Sequence, residues 1–529
     1  MPTFQRFSLC LKQPVQDSIC IGARRPSPHA QHKGSIVKLR RSSGVLLHVT
    51  SLPGGFGIGD LGPASRWFAD VLVEAKQRLW CMLPLGTTGK ENSPYQSRSA
   101  FAGNPLLISP EELVREGYVR AHDLPGAPVR NTSYVDYASV RQFKEELLRR
   151  AFREFAENDN YRRFEREHAW WLEKFAEFMA LREANRGAKW VYFDPRIKAK
   201  PEAIRFHKFV QYEFFRQWQN FREYCAKRNI SLMGDMPFYI EHNSADVWSH
   251  PELFDLDRAG RSRTVGGVPP DYFAKDGQLW GTPTYRWDRL EKSGYQWWVD
   301  RLRMAIGMTD VLRLDHFRGF EAYWSVPAGQ ATARRGKWVK GPGAKLFRVL
   351  KRKFGELPFV AENLGIVTPE VEALRTEFGM PGMAVLQFGF DDDNTHRPSN
   401  YRPDLVAFTG THDNDTTKSW WREVQGAARS SRNRAMRLKA ESVQAFLQID
   451  QREKDVEWSF IQAVQASVAA LVVIPVQDVL GLGTEARMNR PGRAKGNWRW
   501  RLQKRQLREA HLKRLADLTE ATGRWKNAR

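Results

Sequence analysis

The amino-acid sequence predicts an α/β fold, a (β/α)8 TIM barrel with large helical insertions between strands, on three observations. Eight short runs rich in Val, Leu and Ile fall near residues 45, 79, 231, 311, 359, 384, 406 and 472. Most do not alternate polar with apolar residues, which is how strands buried on both faces read. Helical segments separate most of these runs, and polar residues gather at their C-terminal ends, where such a barrel carries its site. A doubly wound open sheet is the competing arrangement.

The chain opens, after its first forty residues, with an apolar strand at 44–52 that runs into the glycine-rich loop 53–59. That loop lacks both the Gly-Lys-Ser/Thr ending of a phosphate-binding loop and the spacing of a dinucleotide fingerprint, so it is no phosphate cradle. A helix follows over 64–77, then a strand at 78–85 and the loop Asn92-Ser93-Pro94-Tyr95-Gln96-Ser97. Residues from about 110 to 230 form a charged helical block, an insertion between two strands. Its aromatic positions at helical spacing (Phe152, Phe155, Trp170, Trp171, Phe175, Phe178 and those of 206–218) read as core. A strand at 230–240 carries Gly234-Asp235, and a segment from about 241 to 290 follows with no secondary structure of its own. Segments of that kind are usually binding loops, and this one reads as a substrate-covering loop.

Chemistry concentrates in 310–324, Asp-Val-Leu-Arg-Leu-Asp-His-Phe-Arg-Gly-Phe-Glu-Ala-Tyr-Trp. Side chains two apart on a strand share a face, so Arg313 lies beside Asp315, and the guanidinium is expected to keep that carboxylate ionised, as a nucleophile requires. An Arg-x-Asp pair alone is ordinarily a satisfied ion pair. Two further carboxylates change that reading: Glu362, directly after Phe359-Val360-Ala361, and Asp413, in Phe408-Thr409-Gly410-Thr411-His412-Asp413-Asn414. Each ends an apolar run, and barrel strand ends would bring all three together. A glycosidic bond is cleaved with retention by a carboxylate nucleophile and a protonated carboxyl about 5–5.5 Å apart. Neighbours divide the labour: Asp315 is the charged nucleophile, and Glu362, in an apolar setting that raises its pKa, is the acid/base. Asp413 with His412 would hold hydroxyls of the distorting sugar.

These motifs resemble the amylomaltases, or 4-α-glucanotransferases, of glycoside hydrolase family 77, within the α-amylase superfamily. The resemblance runs from about residue 42 to 502 and rests on long stretches: Leu46-Leu47-His48 with Ser51-Leu52-Pro53-Gly54, Ser93-Pro94-Tyr95-Gln96-Ser97, Ser244-Ala245-Asp246-Val247-Trp248, Gly267-Val268-Pro269-Pro270-Asp271-Tyr272-Phe273, Arg313-Leu314-Asp315-His316-Phe317-Arg318-Gly319-Phe320 and Gly410-Thr411-His412-Asp413-Asn414-Asp415-Thr416. It implies that Asp315 is the nucleophile, Glu362 the acid/base, Asp413 the transition-state stabiliser and Arg313 the partner of the nucleophile. It also implies substrate contacts by His316, His412, Tyr95, Asp235, Trp280, Tyr272, Asn489 and Pro491. The family needs no cofactor, and no metal-ligand spacing in the sequence calls for one. Asn363 stands where the family usually has Asp, Val49 where Pro is usual, and His242, Asn243 and Arg98 are less typical. As the next strand residue, Asn363 should face away from Glu362.

Composition frames the rest. The 529 residues are 42% hydrophobic, enough for a large core, and carry a formal charge of +23. No nucleic-acid-reading motif accompanies that charge, so a solvated basic surface is expected, with a basic nucleic-acid-binding protein as the remote rival. No run of about 18 apolar residues suggests a membrane span. Cys10, Cys20, Cys81 and Cys225 have neither disulfide-framework nor metal spacing, as in a reducing compartment. Residues 1–40, with seven Lys/Arg against Asp17, read as a disordered basic extension, a transit peptide or an upstream start. Residues 41–505 read as the catalytic barrel and 506–529 as a basic C-terminal helix or tail. The expected enzyme is a monomer or homodimer acting on α-1,4-glucans and maltooligosaccharides, cytoplasmic in a bacterium or in the plastid stroma if the extension is a transit peptide. Hydrolysis, as in an amylase, is the alternative to transfer.

Overall fold

A computed structural model describes residues 40–89, 91–124, 133–270, 275–391, 394–429, 434–450 and 453–525. Its strands are β1 (Ser42–Leu46), β2 (Leu79–Cys81), β3 (Ser231–Met236), β4 (Thr264–Val268), β5 (Gln278–Pro283), β6 (Val311–Leu314), β7 (Ala322–Pro327), β8 (Lys337–Lys340), β9 (Phe359–Ala361), β10 (Gly382–Val385), β11 (Leu405–Phe408) and β12 (Leu471–Pro475).

Eight of them, in the order β10-β11-β12-β1-β2-β3-β6-β9, form one parallel sheet. The two ends of that order meet. The Ala361 N–H donates to the Pro381 carbonyl at 2.8 Å, and Met383 N–H donates to the Asn363 side-chain oxygen at 2.8 Å. The sheet is therefore a nearly closed barrel, and the open doubly wound arrangement is excluded. All eight runs anticipated from the sequence are its strands, and every residue of β1, β9, β10 and β12 is buried. Two-sided burial removes the reason for polar alternation, which is why those runs read as continuous apolar stretches. At the β1–β2 contact a Cβ on Gly44 would lie 2.3 Å from the Leu79 carbonyl oxygen, so the strands can pair there only around glycine.

The barrel is locked where the segment after its last strand returns to its first. The fully buried Arg524, beyond the helix Glu509–Ala521, donates to carbonyls of Ser42, Gln465, Ser467 and Ala469, tying the C-terminal segment to β1 and to the approach to β12. Between β2 and β3 the helices Tyr137–Glu154, Asp159–Ala184 and Pro201–Ala226 pack on one another, with Trp171, Phe175, Phe178, Phe209 and Phe215 buried. Trp170 departs from the expected core stripe: it is 47% exposed, lying edge-on to Phe101.

The segment 241–290 is not the structureless loop expected. It contains the helix Ala245–Ser249 and strands β4 and β5, which join β7 and β8 in a four-stranded antiparallel sheet ordered β5-β4-β7-β8. Two of the partners lie after β6 in sequence, and pairing across that distance leaves no local signal. Asn363 does face away from Glu362, its amide nitrogen donating to Glu372 at 2.7 Å. Tyr272, with Asp271 and Phe273, and the extension 1–39 lie outside the described residues.

Candidate active site

Among the described residues, most of the side chains singled out from the sequence gather where barrel strands end. In β3 and β6 the register pairs Asp235 with Arg313, and Nη1 of Arg313 donates to the two oxygens of Asp235 at 2.8 and 2.7 Å. The same nitrogen lies 3.0 Å from Oδ1 of Asp315. Leu314 pairs with Ala361, so Asp315 and Glu362 stand on the next rung of adjacent strands. Glu362 also grips the turn after Asp315: its Oε2 accepts from His316 N–H at 2.8 Å and its Oε1 from Leu364 N–H at 3.0 Å. His316 has φ +48°, a left-handed conformation that costs a non-glycine residue on the order of 1–3 kcal/mol and is held here by that carboxylate.

A hydrogen-bonded chain from Asp235 leads to His412, the neighbour of the third carboxylate. Tyr95 Oη lies 2.7 Å from Oδ2 of Asp235 and 2.8 Å from Nε2 of His412. A carboxylate only accepts, so the tyrosine proton goes to Asp235, and His412 must donate its Nε2–H to the tyrosine oxygen. That tautomer is neutral, in keeping with the burial that lowers the His412 pKa. Asp413 follows, with Oδ1 3.4 Å from Nε2 of His412 and accepting from Asn489 Nδ2 at 2.6 Å. The Asp413 side chain stays 45% exposed, free to meet a ligand. Trp280 meets His316 edge-on at 4.9 Å, and Tyr95 stacks on His412 at 5.3 Å, so aromatic rings wall two sides of the cleft. Pro491 lies exposed in the turn beyond Asn489.

The electrostatics differ from the expectation in one respect. Arg313 does contact Asp315, but Asp235 takes much of its charge. Burial pushes the Asp315 carboxyl up to about 7 against the pull of Arg313, with Asp235 and Asp413 adding to the rise. The Asp315 side chain is 28% accessible to the cleft, so water moderates this push until a ligand displaces it. Glu362 goes higher, to about 8, through burial against Arg313 and repulsion from Asp315. Both carboxyls are therefore raised, Glu362 as anticipated and Asp315 contrary to a cleanly ionised carboxylate. The protons belong to the pair as a unit.

Several residues at the site went unnoticed in the sequence. Arg487 donates to the Asp413 carbonyl at 2.6 Å and to the Asn489 carbonyl at 2.7 Å, fastening the 484–498 loop to the Asp413 turn. Trp498 packs on both Tyr95 and His412 at ring separations of 5.8 and 5.9 Å. His48, quoted in the sequence motif without a role, is buried just beyond β1, lowered to about 3 and therefore neutral. The proximity of Arg487 and Trp498 to Asn489-Arg490-Pro491-Gly492 was the one signal that could have marked them. Among the described residues no cluster of three or more His, Cys, Asp or Glu could hold a metal ion, and no helix is long and apolar enough to cross a membrane.

Comparison with known proteins bears on this arrangement. A family model described as 4-alpha-glucanotransferase matches residues 47–507. A 4-alpha-glucanotransferase of Thermus thermophilus is 47% identical over 510 residues, covering 92% of this chain and 100% of its own. One from Solanum tuberosum, named as chloroplastic/amyloplastic, is 39% identical over 513 residues, covering 92% and 87%. Among solved structures, an amylomaltase from Streptococcus agalactiae in complex with acarbose superposes with a TM-score of 0.86 at 35% identity, covering 92% of this chain and all of that one.

Proposed function

The chain belongs to the 4-alpha-glucanotransferase family, an enzyme of that activity, and from this premise we propose that it moves α-1,4-glucan segments between maltooligosaccharides or amylose by a retaining double displacement. The observation that carries the reading is that Asp315 and Glu362 stand on one rung of adjacent strands, with Arg313 on Asp315 and with Asp413 beside His412 in the same cleft. Asp315 attacks the anomeric carbon while Glu362 protonates the departing oxygen, leaving a glucosyl ester on Asp315. Glu362, now ionised, takes the proton of an incoming 4-hydroxyl, which displaces the ester. Parallel strands lie about 4.7–4.9 Å apart, so carboxyls on one rung suit the roughly 5–5.5 Å of a retaining pair better than the ~6.5–9.5 Å that an inverting pair needs.

The remaining residues hold the sugar in this reading. Asp413 and the neutral His412 receive hydroxyls of the ring at the point of cleavage, Tyr95 stacks on it, and His316, whose Nε2 is buried without a partner among the described residues, turns that nitrogen to a further hydroxyl. Asp235 locks Arg313 and Tyr95, while Asn489 sets the angle of Asp413. Tyr272 and Pro491 are the contacts of a longer chain. Trp280 and the antiparallel sheet that carries it shield the ester from water, which favours a sugar acceptor over hydrolysis. No cofactor takes part. The enzyme works in the cytoplasm, or in the plastid stroma if its N-terminal extension serves as a transit peptide.

Incubation with maltotriose alone tests the outcome. A ladder of longer maltooligosaccharides with glucose as by-product is expected; maltose and glucose without longer products would reject transfer in favour of hydrolysis.

The pH profile tests the pair. Asp315 must be ionised to attack, so kcat/KM falls as pH drops below about 7; Glu362 must be protonated to donate, so it falls again above about 8. A narrow bell between those limits is expected with a short maltooligosaccharide donor. A plateau extending down to pH 4 would remove the burial argument for Asp315.

A further inference from the structure

The antiparallel sheet carries a second apolar face, opposite the one that walls the cleft. Successive residues of a strand point to opposite sides, so the register sorts them. Gly266, Tyr323 and Trp280 belong to the cleft side. Trp280 meets His316 edge-on at 4.9 Å, Tyr323 lies 6.4 Å from Tyr239, and a Cβ on Gly266 would lie 2.4 Å from the Tyr239 ring. On the other side one row crosses all four strands: Leu279 is opposite Gly267, Gly267 opposite Trp324, and Trp324 opposite Trp338. Leu279 is 37% and Trp338 41% exposed.

Trp338, on the edge strand β8, is fixed in place and tied to the catalytic turns. Trp324 meets it edge-on at 5.2 Å and is itself held by its Nε1, which donates to the Ala333 carbonyl at 2.8 Å. The guanidinium of Arg318, three residues after Asp315, lies 3.8 Å from the centre of the Trp338 ring. Nη1 of the same arginine donates at 2.5 Å to the carbonyl of Ile366, four residues after Glu362, and the Ile366 side chain is 47% exposed. A ring braced in this way binds without losing the rotamer freedom of a loose side chain. Its electron-rich face attracts C–H groups, which a glucose ring presents on its apolar side while its hydroxyls stay in water. The location decides which part of a glucan would meet it. Glu362 protonates the departing oxygen, so the chain on its side of the bond is the leaving chain, and the acceptor enters over the same ground.

We propose that Trp338, with Ile366 beside it, is a stacking platform for the acceptor end of a long α-glucan, beyond the units in contact with the carboxylates. Resting on the transfer reading, this role makes long acceptors bind better than short ones, because only a chain that extends past Ile366 gains the ring.

Glucosyl transfer from α-glucosyl fluoride to acceptors of increasing length tests the platform. In the wild type the acceptor KM is expected to fall from glucose to maltoheptaose. In Trp338→Ala the KM for maltoheptaose should rise roughly five- to tenfold more than that for glucose, with the loss carried by KM and not by kcat. Trp338→Phe, which keeps a ring, should restore most of the preference, and Trp338→Leu, which keeps only apolar bulk, should not. Those two variants decide the matter if Trp338→Ala fails to fold. Equal KM shifts for both acceptors, or a leucine variant that matches the phenylalanine one, overturn the platform. Variants that sediment differently while keeping the wild-type preference assign the face to a second copy of the chain and overturn it as well. A wild type that makes no transfer product from maltotriose defeats the transfer reading itself, whereas transfer with the preference intact in all the variants removes the platform alone.

Discussion

Asp315→Ala is expected to lose transfer and hydrolysis together, with kcat/KM for maltotriose falling on the order of 10⁴–10⁶-fold, the scale seen when a covalent nucleophile is removed. The loss follows from position. Asp315 is the carboxylate reached by both Arg313 and the rung of Glu362, and no other acid stands on that rung. A specific signature separates loss of the nucleophile from general damage. With α-glucosyl fluoride as donor and azide in the medium, azide can occupy the space left by the carboxylate and attack from the same face, giving the β-glucosyl azide. Retained turnover of maltotriose in Asp315→Ala, or an α-azide product, would remove Asp315 from its role. Stability should not fall with activity. The folded-state pKa of Asp315 is raised above its unfolded value. The stability linked to it is therefore complete below the unfolded pKa and lost as pH rises through about 7. At pH 8 the wild type carries that penalty, and Asp315→Asn, which lacks it, should melt at or above the wild-type temperature.

What the sequence made legible was what local pattern encodes. Val45–Leu47, Phe359–Ala361 and Leu471–Ile474 are buried on both faces, and such runs stay apolar whatever surrounds them, so the barrel could be counted from them. The carboxylates were found because a polar group directly after such a run has to be used or paired. The antiparallel sheet was missed for the opposite reason. Its central strands β4 and β7 pair Gly267 with Trp324, 57 residues apart, and β4 itself reads Thr-Val-Gly-Gly-Val, with two glycines where a strand signal would stand. The charge state of Asp315 was misjudged chiefly because its burial outweighs the pull of Arg313, and also because Arg313 was assigned one partner. Asp235, on a strand that precedes β6 by some 75 residues, takes the same nitrogen, and competition of that kind is visible only in three dimensions. Arg487 escaped notice because its hydrogen bonds are to main-chain carbonyls of Asp413 and Asn489, which leave no trace in residue type, and its charge partner Asp415 lies 72 residues away.

Glu362→Ala should divide the reaction into halves that respond differently. With maltotriose, whose leaving group needs a proton, the rate is expected to fall by about 10²–10⁴-fold, the usual contribution of a general acid. With α-glucosyl fluoride the departing ion needs no proton, so attack by Asp315 survives, but the second half stalls because no base remains to activate an incoming hydroxyl. The glucosyl ester on Asp315 should then accumulate and be visible by mass spectrometry as an added hexose on the peptide containing residues 310–318. Azide, which needs no deprotonation, should discharge it from the opposite face to give the α-glucosyl azide, the mirror of the Asp315→Ala result. In the proposed mechanism one residue serves both halves: burial and the charge of Asp315 push Glu362 up to about 8, and esterification of Asp315 would remove that repulsion, so its pKa would fall as it becomes the base. An alkaline limb of the pH profile that persists unchanged in Glu362→Gln with natural donors would assign that limb, and the acid role with it, to another group.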